Sequence, residues 1–354
     1  MARAPLQHDR SRPDASTWTV RARPPTALGT ATSRVAAQAA RARGATRTAV
    51  GGPVDGRQGA RRVGDGPDDR LLRPARREAR GPTASDHAQG VGLVISLDRR
   101  DGRPLVIGHR GAAALAPENT IRGLRAAHAA DVDLIEFDLL ALATGELVLA
   151  HSDNLRELTH GAARGKVGGR TLAELREVAP DLPTLDDALE FFADEATDVG
   201  IHVDIKSAGF EAEIANALGR FGLAERTLAS SFRPRVVRRL AELDPHVRAC
   251  IAFPQDRLSI SDRRGSGPLV RVGLRSLRAV TPRLAARLLS RSGGTALALH
   301  HSLASAAVVE QAHRLGARVV AWTLEHPDDL ARVERAGVDA VVVNDPGMFG
   351  LRSR

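Results

Sequence analysis

Beyond residue 100 the chain is punctuated by short apolar runs of strand length: Leu105–His109, Leu134–Leu139, Leu147–His151, Ile201–Lys206, Thr227–Ser231, Val247–Phe253, Ala296–His300, Arg318–Thr323 and Ala340–Val343. Most are separated by stretches with helical spacing. Thr120–Ala130 places Ile121, Leu124, Ala127 and Ala130 on one face, and Leu185–Ala193, Phe210–Leu218, Arg235–Leu243, Ala304–Leu315 and Pro327–Ala336 read the same way. Strand–helix alternation sustained over roughly 250 residues predicts a parallel sheet covered by helices. At this size an α/β chain with eight strands is expected to close as a (β/α)8 TIM barrel, the open doubly wound sheet being the alternative.

Nine runs is one more than such a barrel takes. The second and third also lack a helix between them: only twelve residues separate Asp138 from His151, too few for a parallel crossover. An antiparallel hairpin is predicted there, making the barrel irregular between strands two and three. With Thr144-Gly145 as a two-residue turn, residue i faces residue 289 − i, so that His151 lies opposite Asp138. Val91–Ile95 reads as a further short strand-like run, and Ser259–Arg275, rich in Arg and Gly, as an exposed loop or a ragged helix start.

Charge divides the chain. Residues 1–90 hold 17 Arg against 8 acidic residues, whereas the remainder balances at 34 of each sign. The leading segment lacks apolar periodicity and cannot bury enough surface to offset its ordering entropy. Residues 1–92 are therefore expected to be a disordered Arg/Ala/Pro/Gly-rich extension, and residues 93–354 the barrel. A neutral folded domain argues against nucleic acid as its partner. One cysteine, Cys250, excludes an intramolecular disulfide and a Cys-based zinc site. There is no apolar run long enough for a transmembrane segment and no secretory apolar core, so the cytoplasm is the expected location.

Candidate chemistry falls at the predicted strand ends, where a barrel gathers its active site. Gly108-His109-Arg110-Gly111 ends the first strand; His109 can move a proton near neutral pH and Arg110 can grip phosphate oxygens in pairs. Pro117-Glu118-Asn119-Thr120 opens a helix, with Asn119 or Thr120 as its cap and a capping or supporting role for Glu118. Glu136 and Asp138 share one face of a strand that is otherwise apolar. Inward carboxylates are costly unless paired or metal-bound, and hard oxygen donors suit Mg²⁺ or Ca²⁺. His151 ends the third run, and two strand-end histidines supply an acid and a base. Asp204 and Lys206 again share a face; the chain has only two lysines, Lys166 and Lys206, and a compact ammonium suits a tight phosphate site. Each feature has a structural reading as a satisfied core His, a helix cap or a buried ion pair. Together they form the set that metal-assisted phosphoryl transfer requires.

In this order, His-Arg-Gly, Pro-Glu-Asn-Thr, Glu-x-Asp, a strand-end His and acid-x-Lys resemble the glycerophosphodiester phosphodiesterase family. Ser230-Ser231-Phe232, Ala321-Trp322-Thr323, Gly337-Val338-Asp339-Ala340 and Asn344-Asp345-Pro346 extend the resemblance over about Pro104 to Met348. It implies a (β/α)8 barrel that hydrolyses glycerophosphodiesters, as small-molecule substrates, to glycerol 3-phosphate and an alcohol. It implies further that Glu136, Asp138 and Asp204 hold a divalent cation, that His109 and His151 are general acid and base, that Arg110 and Lys206 bind phosphate, and that Trp322 lines the pocket. The glycerol 2-hydroxyl would attack first, water then opening a cyclic phosphate. This chain departs from the family pattern at Asp204, where Glu is common, at His151-Ser152-Asp153, where His-Asp is usual, and at Glu157, where Arg is often found. The alternatives are a lysophospholipase D-like phosphodiesterase, against which the polar Asn154–Arg170 segment argues, and a non-catalytic phosphodiester-binding barrel, for which the Asp204 change speaks. A metal-independent phosphoinositide-cleaving relative is disfavoured by the three carboxylates.

Overall fold

In the computed structural model the chain is described over residues 93–255 and 267–347, side chains excepted at 267–276. The predicted extension and the start of the Ser259–Arg275 segment lie outside those residues.

Among the described residues nine strands and nine α-helices follow in order: β1 Leu105–Gly108, α1 Ile121–Ala129, β2 Leu134–Ala141, β3 Leu147–Leu149, α2 Leu155–Leu158, α3 Leu172–Val178, α4 Leu185–Asp194, β4 Gly200–Ile205, α5 Glu211–Arg220, β5 Thr227–Ser231, α6 Pro234–Leu243, β6 Arg248–Phe253, α7 Gly267–Ser292, β7 Ala296–His300, α8 Ala306–Arg314, β8 Arg318–Leu324, α9 Pro327–Ala336 and β9 Ala340–Val343. Eight strands pair in parallel round a ring, β1-β2-β4-β5-β6-β7-β8-β9, and β9 pairs back with β1 to close it. β3 stands outside the ring, antiparallel to β2. The closed eight-stranded barrel is therefore present, and the supernumerary run is the hairpin strand.

Alternation along the strands creates two cores. Ile107, Leu134, Leu228, Cys250, Ala298 and Val342 fill the barrel interior. Their neighbours turn outward beneath the helices: Phe137 is fully buried and stacks on Phe192 of α4 at 6.0 Å between ring centres. The helices start where polar caps demand it. Thr120 accepts from the Gly123 amide, and Thr184 and Asp187 form a reciprocal capping box on α4. α9 opens at Pro327 and ends at Gly337, whose φ of 85° provides the left-handed stop.

Two expectations change, and one alternative is decided. Leu93–Ile95 is not a strand, because a closed barrel offers no free edge for one. Ile95 and Leu97 instead plug the base of the barrel interior, the Ile95 amide donating to the Glu225 carbonyl and Arg248 Nε donating to the Ile95 carbonyl. For the Arg/Gly-rich segment the helix-start reading holds from Gly267, where α7 begins and runs to Ser292.

The hairpin register is shifted by one residue. Leu139 pairs with Leu149 and Ala141 with Leu147, so partner numbers add to 288, not 289. The loop holds three residues, Ala143 to Gly145, closed by the Leu142 amide on the Glu146 carbonyl, with Gly145 at φ 97°. The Asp138 carbonyl therefore accepts from the Ala150 amide, and His151 lies beyond the strand, in a bend. The polar segment after it folds over a small separate core of Leu155, Val167, Leu175 and Leu182.

Candidate active site

The turn after β1 is shaped by backbone, not side chains. Gly111 sits at φ 84°, and a Cβ there would lie 2.4 Å from the Gly123 carbonyl carbon of α1. A Cβ on Gly108 would lie 2.4 Å from the Gly111 carbonyl oxygen. Only glycine permits this packing. Between them Arg110 is held at φ 51°, a conformation uncommon for a side-chain-bearing residue. The turn aims two amides at β2: Arg110 N donates to Glu136 Oε2 at 2.6 Å, and Gly111 N to the Glu136 carbonyl at 2.7 Å.

Glu136 and Asp138 project from β2 and Asp204 from β4. Asp138 and Asp204 are direct partners in the β2–β4 ladder. Carboxylate oxygens of all three lie within 4.8 Å of one another. Burial, and then the neighbouring Asp138 and Asp204 charges, push Glu136 well above the usual carboxylate range. Burial would also raise Asp138, but the Lys206 ammonium and Arg110 guanidinium outweigh it and hold its carboxyl far below that range. Lys206 Nζ donates to Asp204 and lies 2.7 Å from Asp138 Oδ1. Burial opposes its charge, yet these two carboxylates hold the ammonium protonated well beyond its ordinary pKa.

Arg110 is shared among acids. Its Nη1 donates to both oxygens of Glu118 at 2.9 and 3.0 Å; Nε lies 3.2 Å from Asp138 Oδ2, and Nη1 3.8 Å from Glu157 Oε1. Glu118 thus serves Arg110 and not the helix cap. Thr120 is the cap, whereas Asn119, at φ 54°, faces Asp138. Its Nδ2 donates to Asp138 Oδ2 at 2.9 Å, and its Oδ1 accepts from the Asp138 amide at 3.0 Å. Behind Asp204 runs a second chain of contacts. Ser230 Oγ donates to Asp204 Oδ1 at 2.8 Å, and His202 Nε2 lies 2.9 Å from Ser230 Oγ. Since the hydroxyl gives its proton to the carboxylate, it accepts from His202, whose ring burial pushes down to about 4 and so keeps neutral.

The two candidate histidines differ in setting. His109 follows β1; its Nδ1 is 2.6 Å from Asn344 Oδ1, beyond β9. Burial, followed by the Arg110 charge, pushes it down to about 4. His151 is partly exposed, with Nδ1 2.5 Å from Glu157 Oε1. That hydrogen bond, more than any other influence, draws the Glu157 carboxyl down to about 2. The far wall is aromatic. Trp322 stands edge-on to Phe232 at 5.8 Å and to His300 at 5.4 Å, and its indole N–H finds no acceptor among the described residues.

All eight residues singled out from the sequence, His109, Arg110, Glu136, Asp138, His151, Asp204, Lys206 and Trp322, line one cavity of about 150 Å³ at the C-terminal ends of the strands. Glu136, Asp138 and Asp204 line it together with two cations, Arg110 and Lys206, while Glu118 and Glu157 approach Arg110 from outside it. Three hard carboxylate donors converging within 4.8 Å fit a divalent cation. Sequence reasoning assigned no role to Asn344, Ser230 or His202, and it offered Asn119 only as an alternative to Thr120 for the cap, which Thr120 supplies. Asn119 and Asn344 lie in motifs already noted; the signal was a polar amide beside a helix start or strand end.

The family model described as glycerophosphoryl diester phosphodiesterase matches residues 109–348. A curated glycerophosphodiester phosphodiesterase of Caldanaerobacter subterraneus subsp. tengcongensis is 27% identical over 263 residues, covering 69% of this chain and 95% of that one. Among solved structures, a glycerophosphodiester phosphodiesterase from Agrobacterium tumefaciens str. C58 superposes with a TM-score of 0.53 at 19% identity, over 70% of this chain and 98% of the other. A phosphodiesterase of Oleispira antarctica, in complex with its product sn-glycerol-3-phosphate, gives 0.53 at 22% identity, over 70% and 96%. At these identities the structural likenesses speak for the fold.

Proposed function

The chain belongs to the glycerophosphoryl diester phosphodiesterase family, and on that footing we propose that it hydrolyses glycerophosphodiesters to glycerol 3-phosphate and an alcohol, with a divalent cation and two histidines. One observation carries the reading: three carboxylates from two strands meet within 4.8 Å, in the cavity that also takes His109, His151, Arg110 and Lys206. Glu136, Asp138 and Asp204 would hold the cation, Mg²⁺ or Ca²⁺ by donor type. When bound, such an ion polarises a phosphoryl oxygen and offsets the charge that builds in the transition state.

The chain's own residues supply the rest. Arg110 is poised to leave Glu118 and Glu157 for the phosphodiester oxygens, to which a planar fork can donate twice. Lys206, paired with Asp138 and Asp204, adds a point charge on the same side. His109, held neutral by burial and with Nδ1 against Asn344, acts as the base that takes a proton from the attacking hydroxyl. His151 delivers a proton to the departing alcohol oxygen. One P–O bond forms and one breaks, and the two imidazoles exchange roles for the return proton. Trp322 and Phe232 exclude water from one wall. Retention of both histidines favours this hydrolase over a binding-only barrel.

The experiment is release of glycerol 3-phosphate from glycerophosphocholine and other glycerophosphodiesters, with Mg²⁺ or Ca²⁺ and with excess chelator. Metal-dependent release supports the reading, together with losses of at least about 10²-fold in His109→Ala and His151→Ala. Failure to release product from any of the diesters with either ion would overturn it in favour of a binding module.

A further inference from the structure

Building on the proton-transfer reading of His151, we propose that Glu157 is its positioning residue: the carboxylate fixes the ring proton on Nδ1, leaves Nε2 for the cavity, and couples the imidazole to Arg110. At this position the family resemblance leads one to expect Arg, which could not accept from Nδ1 as Glu157 does.

His151 needs such a partner because the fold gives it little else. β3 stops at Leu149, two residues earlier, and His151 lies in the following bend with its side chain partly exposed. Its Nδ1 is 2.5 Å from Glu157 Oε1. A carboxylate at neutral pH only accepts, so Nδ1 must carry the proton. No partner for Nε2 is found among the described residues, and the ring lines the cavity that holds the three carboxylates.

Glu157 is itself well anchored. It lies in the first turn of α2, which Asn154 caps and whose Leu155 is buried in the small separate core. Its second oxygen, Oε2, accepts from Ser152 Oγ at 2.6 Å. Oε1 also lies 3.8 Å from Arg110 Nη1. One carboxylate therefore touches the proposed proton donor and borders the proposed phosphate clamp. A half-exposed ion pair contributes little to stability by itself, so the consequence of this contact lies in the aim of the ring. Residues that orient a ligating or reacting imidazole in this way are worth about 10–100-fold in function when removed.

The test uses the full chain with wild type, Glu157→Ala, Glu157→Gln and His151→Ala. Imidazole ¹⁵N spectra of the metal-free protein report which ring nitrogen is protonated, His151→Ala supplying the assignment. Turnover of glycerophosphocholine with metal gives kcat and KM separately, across pH. The wild type is expected to show His151 protonated on Nδ1. Glu157→Ala should lose that preference and lower kcat about 10–100-fold, with KM within about twofold and the pH profile displaced. Glu157→Gln still offers Nδ1 an acceptor and should recover the tautomer and much of kcat. A wild-type His151 whose Nδ1 carries no proton, or a Glu157→Ala protein with unaltered Nδ1 protonation and kcat, overturns the proposal. Near-normal turnover in His151→Ala would instead remove the role of His151 itself. Should Glu157→Ala fail to fold, the wild-type tautomer and the Gln variant still decide.

Discussion

Replacing Asn119 by Ala tests whether the acidic centre is held by a single amide. Asn119 is 5% exposed, and both ends of its side chain are committed to Asp138, one to the carboxylate and one to the backbone amide. Truncation removes a hydrogen bond to a charged group, worth about 1.5–3 kcal/mol, and strands a buried N–H, which costs about 1–3 kcal/mol. The φ of 54° suits Asn better than Ala and adds on the order of 1 kcal/mol. A water entering the vacated space returns part of this. The net is about 4 kcal/mol, which for a domain of this size lowers the melting temperature by roughly 8–16 °C. Thermal unfolding of the metal-free protein, followed by circular dichroism, measures it. Asn119→Asp is the companion: it keeps an acceptor for the Asp138 amide but sets carboxylate against carboxylate, so its deficit should widen from pH 4 to pH 7. A loss below about 1 kcal/mol in Asn119→Ala, or a pH-independent deficit in Asn119→Asp, would refute the account of Asp138 as dependent on this amide.

Other expected outcomes follow from the same geometry. Glu136 binds its proton more tightly in the folded chain than unfolded, so metal-free stability should fall as pH rises above about 4.3, the unfolded value, and level off once pH passes the raised folded value. Glu136→Gln should abolish that slope, and saturating Mg²⁺ or Ca²⁺ should raise the wild-type melting temperature at pH 7 but not that of the variant; calorimetry across pH checks both. Ser230→Ala removes the hydroxyl that holds Asp204 and leaves His202 without its acceptor, so cation affinity measured by titration calorimetry should weaken about 10–100-fold. Gly111→Ala meets the Gly123 backbone at 2.4 Å and φ 84° at once, and should cost about 2–4 kcal/mol in denaturant unfolding, against little change for Gly145→Ala by contact, since nothing lies within 4 Å there and only its φ of 97° is strained.

Much of this protein is written in periodicity. The apolar runs mark all nine strands, and the spacing of Ile121, Leu124 and Ala127 marks α1, because a barrel strand buried on both faces and a helix buried on one leave different patterns in the chain. Side-chain alternation likewise put Glu136 with Asp138, and Asp204 with Lys206, on inward faces before any coordinates. What the chain alone did not decide were facts set by partners far away in sequence or by single residues of loop geometry. One extra residue in the Ala143–Gly145 loop moved the hairpin register and took His151 out of the strand. Asn119 reads as a helix cap until β2 is folded beside it, and Asn344 acquires its role only when β9 closes the ring against β1. Local sequence specifies which faces are apolar and where turns fall; which polar group ends within 3 Å of which other is a property of closure, since a hydrogen bond lost or made there turns on shifts smaller than one residue step along a strand.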